Sequence, residues 1–382
     1  MDYAFVPGIG DPATDVLRAV LALRANTVVD KDAGVVTVQD FLSDVAVILS
    51  AVGVPADDLI AGSHGSAEGQ LQIRLDLKTP TTDPNKPPIT VYEDLEAVNT
   101  SGTIRILPEI KSPNTSFRLA GCLIGSDECL PFLQLLKQAL GNPKNVSAPR
   151  YIHAFNTAPD GSSAFEFMNY AFRTVSKEPL KSRDSVVGSF GNLPDDAIRT
   201  LDGTPVDGDK WDQWVPVAAK LKLDPTTSQE LPFDFPVKVS PAAGGMTAIY
   251  KDLATWYSTI DSFDFKVHIT GTIPDDDAGK IALVPQALAL VNAFKDNHPY
   301  PVFKRLHFDS RQKFVDGMNW KPTVLPNNTL QFVGRRNRYE LHIPVVKPGT
   351  ANELIYNFYP VSGTPKINFT ESNQPFKLFG VV

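Results

Sequence analysis

The strongest constraint on the fold is an alternation of short apolar runs and amphipathic helical segments over residues 1–175. Strand-like runs at Tyr3–Pro7, Asp58–Ala61 and Phe117–Ala120 are each followed directly by a glycine. Between them apolar residues recur at helical spacing, as in the helix predicted to begin at Thr37. Strands that alternate with helices predict a mostly parallel sheet covered on both faces. We therefore expect an α/β fold.

The sequence pattern changes after residue 175. Residues 176–242 are rich in Asp, Pro and Gly and show little periodicity, so we assign 176–260 to an irregular connecting region. Residues 261–382 contain several strand-like runs and predict a C-terminal α+β or β-rich module. The length of 382 residues is enough for two or three domains.

Composition and charge narrow the class of function. Hydrophobic residues make up 42% of the chain and charged residues 21%, which is typical of a folded soluble protein. The net charge of −7 disfavours broad nucleic-acid binding, because phosphate neutralisation needs a basic surface. We find neither an uncharged apolar run of about 18 residues nor the pattern of a secretory signal. We therefore expect a cytoplasmic protein that binds neither membrane nor nucleic acid.

The cysteine and histidine content disfavours a disulfide framework and a metal site. Cys122 and Cys129 are the two cysteines, so one short bridge or two reduced thiols remain as alternatives. A cytosolic protein favours the reduced thiols. The six histidines are scattered and no CxxC or HExxH motif is present, so we expect no metal.

Two of the predicted strand ends carry side chains suited to catalysis. One strand is followed by Ser63, His64 and Gly65, and a later strand is followed by Cys122. Functional groups gather at the carboxyl ends of parallel strands. We predict that Cys122 is a nucleophile, that His64 is its base, and that the amides of Gly65 and Cys122 hold the oxyanion. A helix expected to begin at Ser126 would favour the Cys122 thiolate through its dipole.

These motifs resemble the caspase-like cysteine peptidases, a group that includes caspases, metacaspases, clostripain-like enzymes and bacterial CHAT domains. The triplet Ser63–Gly65 matches the caspase-type histidine motif, and Cys122 follows His64 by 58 positions. At the cysteine the match is looser, since Cys122 is preceded by Leu119–Gly121 and the Gln-Ala that precedes the caspase cysteine is absent. The resemblance covers residues 1–160. It implies a caspase-like sheet flanked by helices, a protein or peptide substrate, and no metal or organic cofactor.

The same resemblance implies where the first specificity pocket lies. Part of its wall comes from the loop after the first strand, where Asp11 is the candidate, and part from the surroundings of the cysteine, where Asp127 is the candidate. An acidic pocket would select lysine or arginine. Asp11 is also interpreted as a helix N-cap and Asp127 as a first-turn helix acid, and these alternatives stay open.

The sequence therefore predicts a cysteine endopeptidase that hydrolyses peptide bonds through a thioester acyl-enzyme. Residues 1–175 would form the peptidase domain, and the C-terminal half would serve recognition or bind a regulatory protein partner. The alternative is a catalytically inactive caspase-like scaffold or partner-binding protein. A third hypothesis is a nucleotide-binding protein that uses the glycine turn at Gly8–Gly10.

Two further features are given structural interpretations. His153, on the strand after the cysteine helix, is expected to be a structural histidine, with a place in the catalytic cleft as the alternative. The basic run Arg335–Arg338 is interpreted as a solvated turn or edge guard, and an acidic partner is the alternative.

Overall fold

The computed structural model describes residues 1–7, 12–24, 27–29, 37–66, 68–76, 89–150, 152–157, 163–181, 185, 189, 213–222, 230–239, 248–249, 255–346, 358–360 and 379–382. The helices among them are α1 (Pro12–Arg24), α2 (Val38–Val52), α3 (Tyr92–Ser101), α4 (Leu130–Ala139), α5 (Asp277–Ile281), α6 (Val284–Ala289), α7 (Val302–Arg305) and α8 (Arg311–Gly317). The strands are β1 (Tyr3–Phe5), β2 (Thr27–Val29), β3 (Asp58–Gly62), β4 (Gly65–Ser66), β5 (Gln70–Leu71), β6 (Ser116–Ala120), β7 (Val146–Pro149), β8 (Ile152–Thr157), β9 (Ser163–Ser176), β10 (Gln213–Lys222), β11 (Glu230–Val239), β12 (Ala248–Ile249), β13 (Thr255–His268), β14 (Asn319–Leu325), β15 (Thr329–Val346), β16 (Phe358–Pro360) and β17 (Phe379–Val381).

The first sheet is mostly parallel and has helices packed against it. Its strands lie in the order β17-β7-β6-β3-β1-β2. The pairs β1–β2, β1–β3, β3–β6 and β6–β7 are parallel, whereas β17 joins β7 antiparallel. The α/β class with a mostly parallel sheet, predicted from the alternation of strands and helices, is confirmed.

Helix α2 begins and ends where its sequence predicts. The Thr37 hydroxyl accepts a hydrogen bond from the Asp40 amide (3.0 Å), and the Asp40 carboxylate accepts one from the Thr37 amide (3.1 Å). This capping box satisfies two of the amides that a helix start leaves unpaired. Gly53 ends the helix in the left-handed conformation, with φ of +66°. The helical spacing of apolar residues also predicts Ile48 and Val52 on the buried side of α2, but both are exposed.

The sequence pattern predicts strands at residues 89–93 and 103–107, but the structure has helix α3 over Tyr92–Ser101 and neither segment forms a strand. The Asp94 carboxylate accepts a hydrogen bond from the Val91 amide (2.9 Å) at the start of the helix, and Gly102 ends it with φ of +68°. Tyr92, Leu95 and Val98 are its buried residues. Their three-residue spacing is helical, and the short apolar runs on either side obscured it.

The alternation of apolar and polar residues over 70–77 predicts a half-exposed strand, but the described residues 70–76 do not form one continuous strand. Leu71, Ile73 and Leu75 are all buried, yet β5 ends at Leu71. Beyond it the Arg74 carbonyl accepts a hydrogen bond from the Val38 amide (2.9 Å). That amide lies in the first turn of α2 and has no acceptor within its own helix. The segment therefore satisfies the start of a helix instead of extending a hairpin.

The second sheet is antiparallel and is built around the long strand β15. This strand pairs with β12, β13, β14 and β9, and β9 pairs in turn with β8 and β16. An aromatic core lies between this sheet and helices α5–α8. In it the rings of Phe314 and Trp320 meet edge to face at 5.6 Å, and Phe265 stacks on Phe332 at 5.3 Å.

The strands divide between the sheets differently from the predicted domain ranges. All but the last residue of strand β9 lies within 1–175, yet the strand pairs with β15 of the second sheet. Strand β17 lies within 261–382 but completes the first sheet beside β7. Most of 176–260 lies outside the described residues, apart from segments such as the antiparallel pair β10–β11.

Candidate active site

His64 and Cys122 follow two neighbouring parallel strands of the first sheet. Strands β3 and β6 pair with Gly62 opposite Ala120, so each candidate lies two residues beyond this last pair. The Ser63 amide continues the contact past the strand ends by donating to the Ala120 carbonyl (3.2 Å). The structure therefore places the two predicted catalytic segments side by side at one edge of the sheet.

The two segments touch main chain to main chain because each has a glycine at the contact. A Cβ on Gly65 would lie 2.8 Å from the Cys122 carbonyl oxygen and 3.2 Å from the Cys122 nitrogen. A Cβ on Gly121 would lie 3.0 Å from the Ser63 carbonyl oxygen. Glycine allows this approach because it has no side chain. The amides of Gly65 and Cys122, the predicted oxyanion donors, both belong to this junction.

Cys122 is a partly exposed residue whose thiol faces strand β8. It donates a hydrogen bond to the main-chain carbonyl of His153 at 3.4 Å. Burial raises the pKa of the Cys122 thiol, and main-chain hydrogen bonds at His153 and at Cys122 itself oppose that increase only in part. The resting thiol is therefore protonated at neutral pH. His153 is buried and borders Cys122 through its backbone.

The turn after Cys122 has an unusual backbone. Leu123 has φ of +62°, in the left-handed region. That conformation costs a non-glycine residue on the order of 1–3 kcal/mol, and such strain tends to cluster at functional sites. Helix α4 begins only at Leu130, after a 3-10 turn at Asp127–Cys129. The predicted stabilisation of a Cys122 thiolate by a helix dipole is therefore wrong. The effect is confined to the first turn of a helix, and α4 begins well beyond Cys122.

Hydrogen bonds hold the backbone of His64 between β3 and β5. The buried Ser63 hydroxyl donates to the Gln72 carbonyl, and the Gln72 amide donates to the His64 carbonyl (2.8 Å). Strand β4 begins at Gly65, which pairs with Leu71 of β5. The half-buried His64 side chain therefore extends from a backbone that is fixed on both sides.

Of the predicted acidic pocket, the structure describes Asp127. Its carboxylate forms an ion pair with Arg150 at 2.7 Å, and 63% of its side-chain area is exposed. The partner neutralises much of the charge that would attract a basic substrate. Asp11 and the glycine turn Gly8–Gly10 lie outside the described residues.

Cys129 is a packing residue, as predicted. It is fully buried, and its sulfur lies 3.1 Å from the Tyr300 hydroxyl oxygen. Burial is the main cause that raises the pKa of Cys129 to about 11. Both cysteines are reduced thiols, so the single bridge that the sequence left possible is not formed.

The basic run Arg335–Arg338 contributes to a buried charge cluster that its sequence does not indicate. Arg336 is 3% exposed and forms an ion pair with Asp261 at 2.8 Å, and Arg338 pairs with the same carboxylate at 3.1 Å. The interpretation of this run as a solvated turn was therefore wrong for these two arginines. Residues two apart on a strand share a face, and Asp261 lies directly opposite Arg336 on β13. The signal available in the sequence was the two-residue spacing of the arginines, whereas their acidic partner on β13 is known only from the strand pairing.

Within the described ranges, no helix has the length and apolar character needed to span a bilayer. The same residues contain no group of three or more His, Cys, Asp or Glu side chains arranged to hold a metal ion. Comparison of the chain with family models, curated proteins and solved structures gives no match.

Proposed function

We propose that the protein is a caspase-like cysteine endopeptidase in which His64 and Cys122 form the catalytic dyad. The observation that carries the proposal is the junction beyond β3 and β6, where Gly65 packs directly against the backbone of Cys122. A base and a nucleophile on adjacent strand ends are the minimum that acyl transfer through a thioester requires. The strained Leu123 beside the nucleophile supports the proposal.

The reaction begins when the thiol leaves the His153 carbonyl and turns towards His64. The imidazole takes the thiol proton while the sulfur attacks the peptide carbonyl carbon, and the carbonyl electron pair moves onto oxygen. The amides of Gly65 and Cys122 stabilise this oxyanion. When the carbonyl re-forms, the C–N bond breaks, the imidazolium gives its proton to the leaving amine, and a thioester remains.

Water completes the cycle at the same two residues. His64 takes a proton from the water that attacks the thioester carbonyl, and the second oxyanion occupies the same amides. Its collapse breaks the C–S bond, releases the carboxylic acid and returns the proton to sulfur. Because the resting Cys122 is a neutral thiol, the base is required in each turnover.

The proposal is tested with a peptide library and a thiol-directed peptide probe. Cys122→Ala should abolish both cleavage and labelling. In the matched Cys129→Ala variant Cys122 should still be labelled, because the substitution removes only a buried thiol that the probe does not reach. Cleavage by Cys122→Ala at the wild-type rate would overturn the assignment.

An inactive scaffold on the same fold is the second candidate. The observation that favours it is the hydrogen bond from the Cys122 thiol to the His153 carbonyl, together with the raised pKa of that thiol. A scaffold would leave Cys122 unlabelled in the wild-type protein at neutral pH. Its partner binding would be unchanged in Cys122→Ala.

A further inference from the structure

The turn that follows the candidate base is buried against the second sheet. Strands β4 and β5 form a short hairpin directly after His64, and Glu68 and Gly69 lie in its turn. Glu68 is 8% exposed. A carboxylate at a hairpin tip is ordinarily solvated, so its burial requires a partner of opposite charge.

Arg338 of strand β15 is that partner. Its guanidinium lies 3.1 Å from the Glu68 carboxylate, and it is held within its own sheet by Asp261 at 3.1 Å and Glu340 at 3.4 Å. Burial alone would lower the pKa of Arg338, but the carboxylates, with Glu340 and Glu68 foremost, outweigh it and the pKa is raised. The arginine therefore stays charged, and contacts within its own sheet hold its side chain in position for the Glu68 carboxylate.

Tyr300 holds the same turn from a second side. This tyrosine is 1% exposed, and a Cβ on Gly69 would lie 2.6 Å from its hydroxyl oxygen. Gly69 also has φ of +70°, which favours glycine. The Tyr300 hydroxyl reaches Cys129, whose sulfur lies 3.9 Å from the Ser66 carbonyl oxygen of β4. The ring thus fits against a turn that has no room for a side chain.

Resting on the peptidase function proposed above, we propose that Arg338 and Tyr300 are positioning residues for His64. They fix the Glu68–Gly69 turn, and the hairpin transmits this restraint through the Gly65–Leu71 pair and the hydrogen bond from Gln72 to His64. The second sheet thereby acts on the candidate site without contributing a group that touches substrate. Catalysis requires this sheet to be docked on the hairpin.

The test compares two neutralised carboxylates around the same arginine in the full-length protein. Glu68→Gln removes the charge on the hairpin, and Glu340→Gln removes one within the second sheet. Both lie within ion-pair distance of Arg338, so the loss of buried charge is matched. Arg338→Lys keeps the positive charge and serves as a conservative second variant, so the test does not depend on the folding of one variant.

Hydrogen exchange of the peptide spanning residues 63–72 and steady-state kinetics are the two measurements. We expect faster exchange and a kcat lowered by roughly 10- to 100-fold with little change in KM for Glu68→Gln, because displacement of a catalytic group affects the transition state. Glu340→Gln should have a much smaller effect on both, because Asp261 still holds Arg338 within its sheet, and Arg338→Lys should fall between the two variants.

The outcomes separate this inference from the peptidase proposal. Equal kinetics for Glu68→Gln and Glu340→Gln in an active enzyme would overturn the positioning role and leave the dyad intact. A wild-type protein that cleaves no peptide would overturn the peptidase proposal, and hydrogen exchange would then decide whether the hairpin is held. Unchanged hydrogen exchange in Glu68→Gln would also show that the Glu68–Arg338 ion pair does not hold the hairpin.

Discussion

The environment of Cys122 determines how its proton can move. The thiol is hydrogen-bonded to a carbonyl and its pKa is raised by burial, so a thiolate does not form spontaneously near neutral pH. A nucleophile of this kind is inert until a base approaches it. In the proposed enzyme the imidazole of His64 supplies that base, which restricts reactivity to the aligned site.

Removal of the base should make the reactivity of Cys122 depend on alkaline pH. We expect His64→Ala to lower kcat/KM for peptide cleavage by about 10²- to 10⁴-fold. The alkylation of Cys122 by iodoacetamide should also slow at neutral pH, and this difference should shrink as the pH rises through the raised pKa of the thiol. Mass spectrometry of the alkylated chain measures the rates.

His268→Ala is the matched control for that experiment, because His268 is exposed at the end of β13 and its ring nitrogen contacts the Asn327 carbonyl. It should alkylate at the wild-type rate. A gap between His64→Ala and wild type that stayed constant up to alkaline pH would contradict the role of the imidazole as a base.

Cys129 should make the protein less stable at alkaline pH. Its pKa is raised to about 11, so the folded state keeps the thiol protonated after the unfolded chain has begun to ionise. The stabilisation is complete below the unfolded pKa of about 8.5 and is lost as the pH rises through the folded pKa. We expect the free energy of unfolding to fall by about 3 kcal/mol from this group between pH 8 and pH 11.

Urea unfolding at the two pH values, in the wild type and in Cys129→Ala, measures that contribution. The cavity left by the substitution destabilises the variant equally at both pH values and cancels from the difference. An equal loss of stability with pH in both proteins would show that other groups, such as Tyr300, account for the alkaline transition.

At the level of residues, the sequence predicts that His64 and Cys122 follow neighbouring strands, but it does not predict the backbone conformation around them. His64 and Cys122 were found because each follows an apolar run and is next to glycine. The left-handed conformation of Leu123 could not be predicted from its residue type, because leucine disfavours that conformation. Nor does a glutamate at a turn indicate that Glu68 is buried, because the residue that neutralises it is remote in sequence.

At the level of elements, the glycine after the cysteine turn has a packing role. The Gly125 amide donates to the Pro149 carbonyl (2.8 Å). A Cβ there would lie 2.6 Å from the Ala148 carbonyl carbon and 2.9 Å from the Gly380 nitrogen. Gly125 is therefore the point at which the cysteine turn contacts both β7 and β17, which fixes the turn against the sheet.

Gly125→Ala should be strongly destabilising. The added methyl group meets backbone on two strands, which cannot move aside as a side chain can, so we expect a loss of about 3 kcal/mol. Gly53→Ala is the control, because it has a positive φ but nothing within 4 Å of its added Cβ. It should cost about 1 kcal/mol, from conformation alone. Thermal unfolding measures both, and equal losses would contradict the packing argument.

The contrast between α2 and α3 shows what limits element prediction. Helix α2 has a capping box, a wide apolar stripe and a terminal glycine, all of which are local signals. Helix α3 buries only Tyr92, Leu95 and Val98, so its periodicity is weak beside the apolar runs that flank it. The strand predicted over residues 70–77 is wrong for a different reason. The Arg74 and Leu75 carbonyls accept hydrogen bonds from the amides of Val38 and Gln39 at the start of α2, and not from a neighbouring strand.

At the level of the whole molecule, the contacts that join the two sheets could not be inferred from local pattern. Glu68 and Arg338 are 270 positions apart, and each appears in the sequence as an ordinary surface charge. The α/β class followed from the alternation of elements in the first 175 residues. The pairing of β9 with the second sheet and of β17 with the first did not follow from it. Strand pairing depends on topology, and the sequence of a short apolar run does not indicate its partner strand.

Strand β17 covers the edge of β7 that would otherwise be the outer edge of the first sheet. Val146 and Val382 exchange two main-chain hydrogen bonds, at 3.1 and 3.0 Å. Until residues 379–382 have been synthesised, β7 would present its unpaired amides and carbonyls to any extended chain nearby. A shortened protein that lacks this strand would therefore expose a template for self-association, and the sheet beneath the cysteine turn would become a starting point for aggregation.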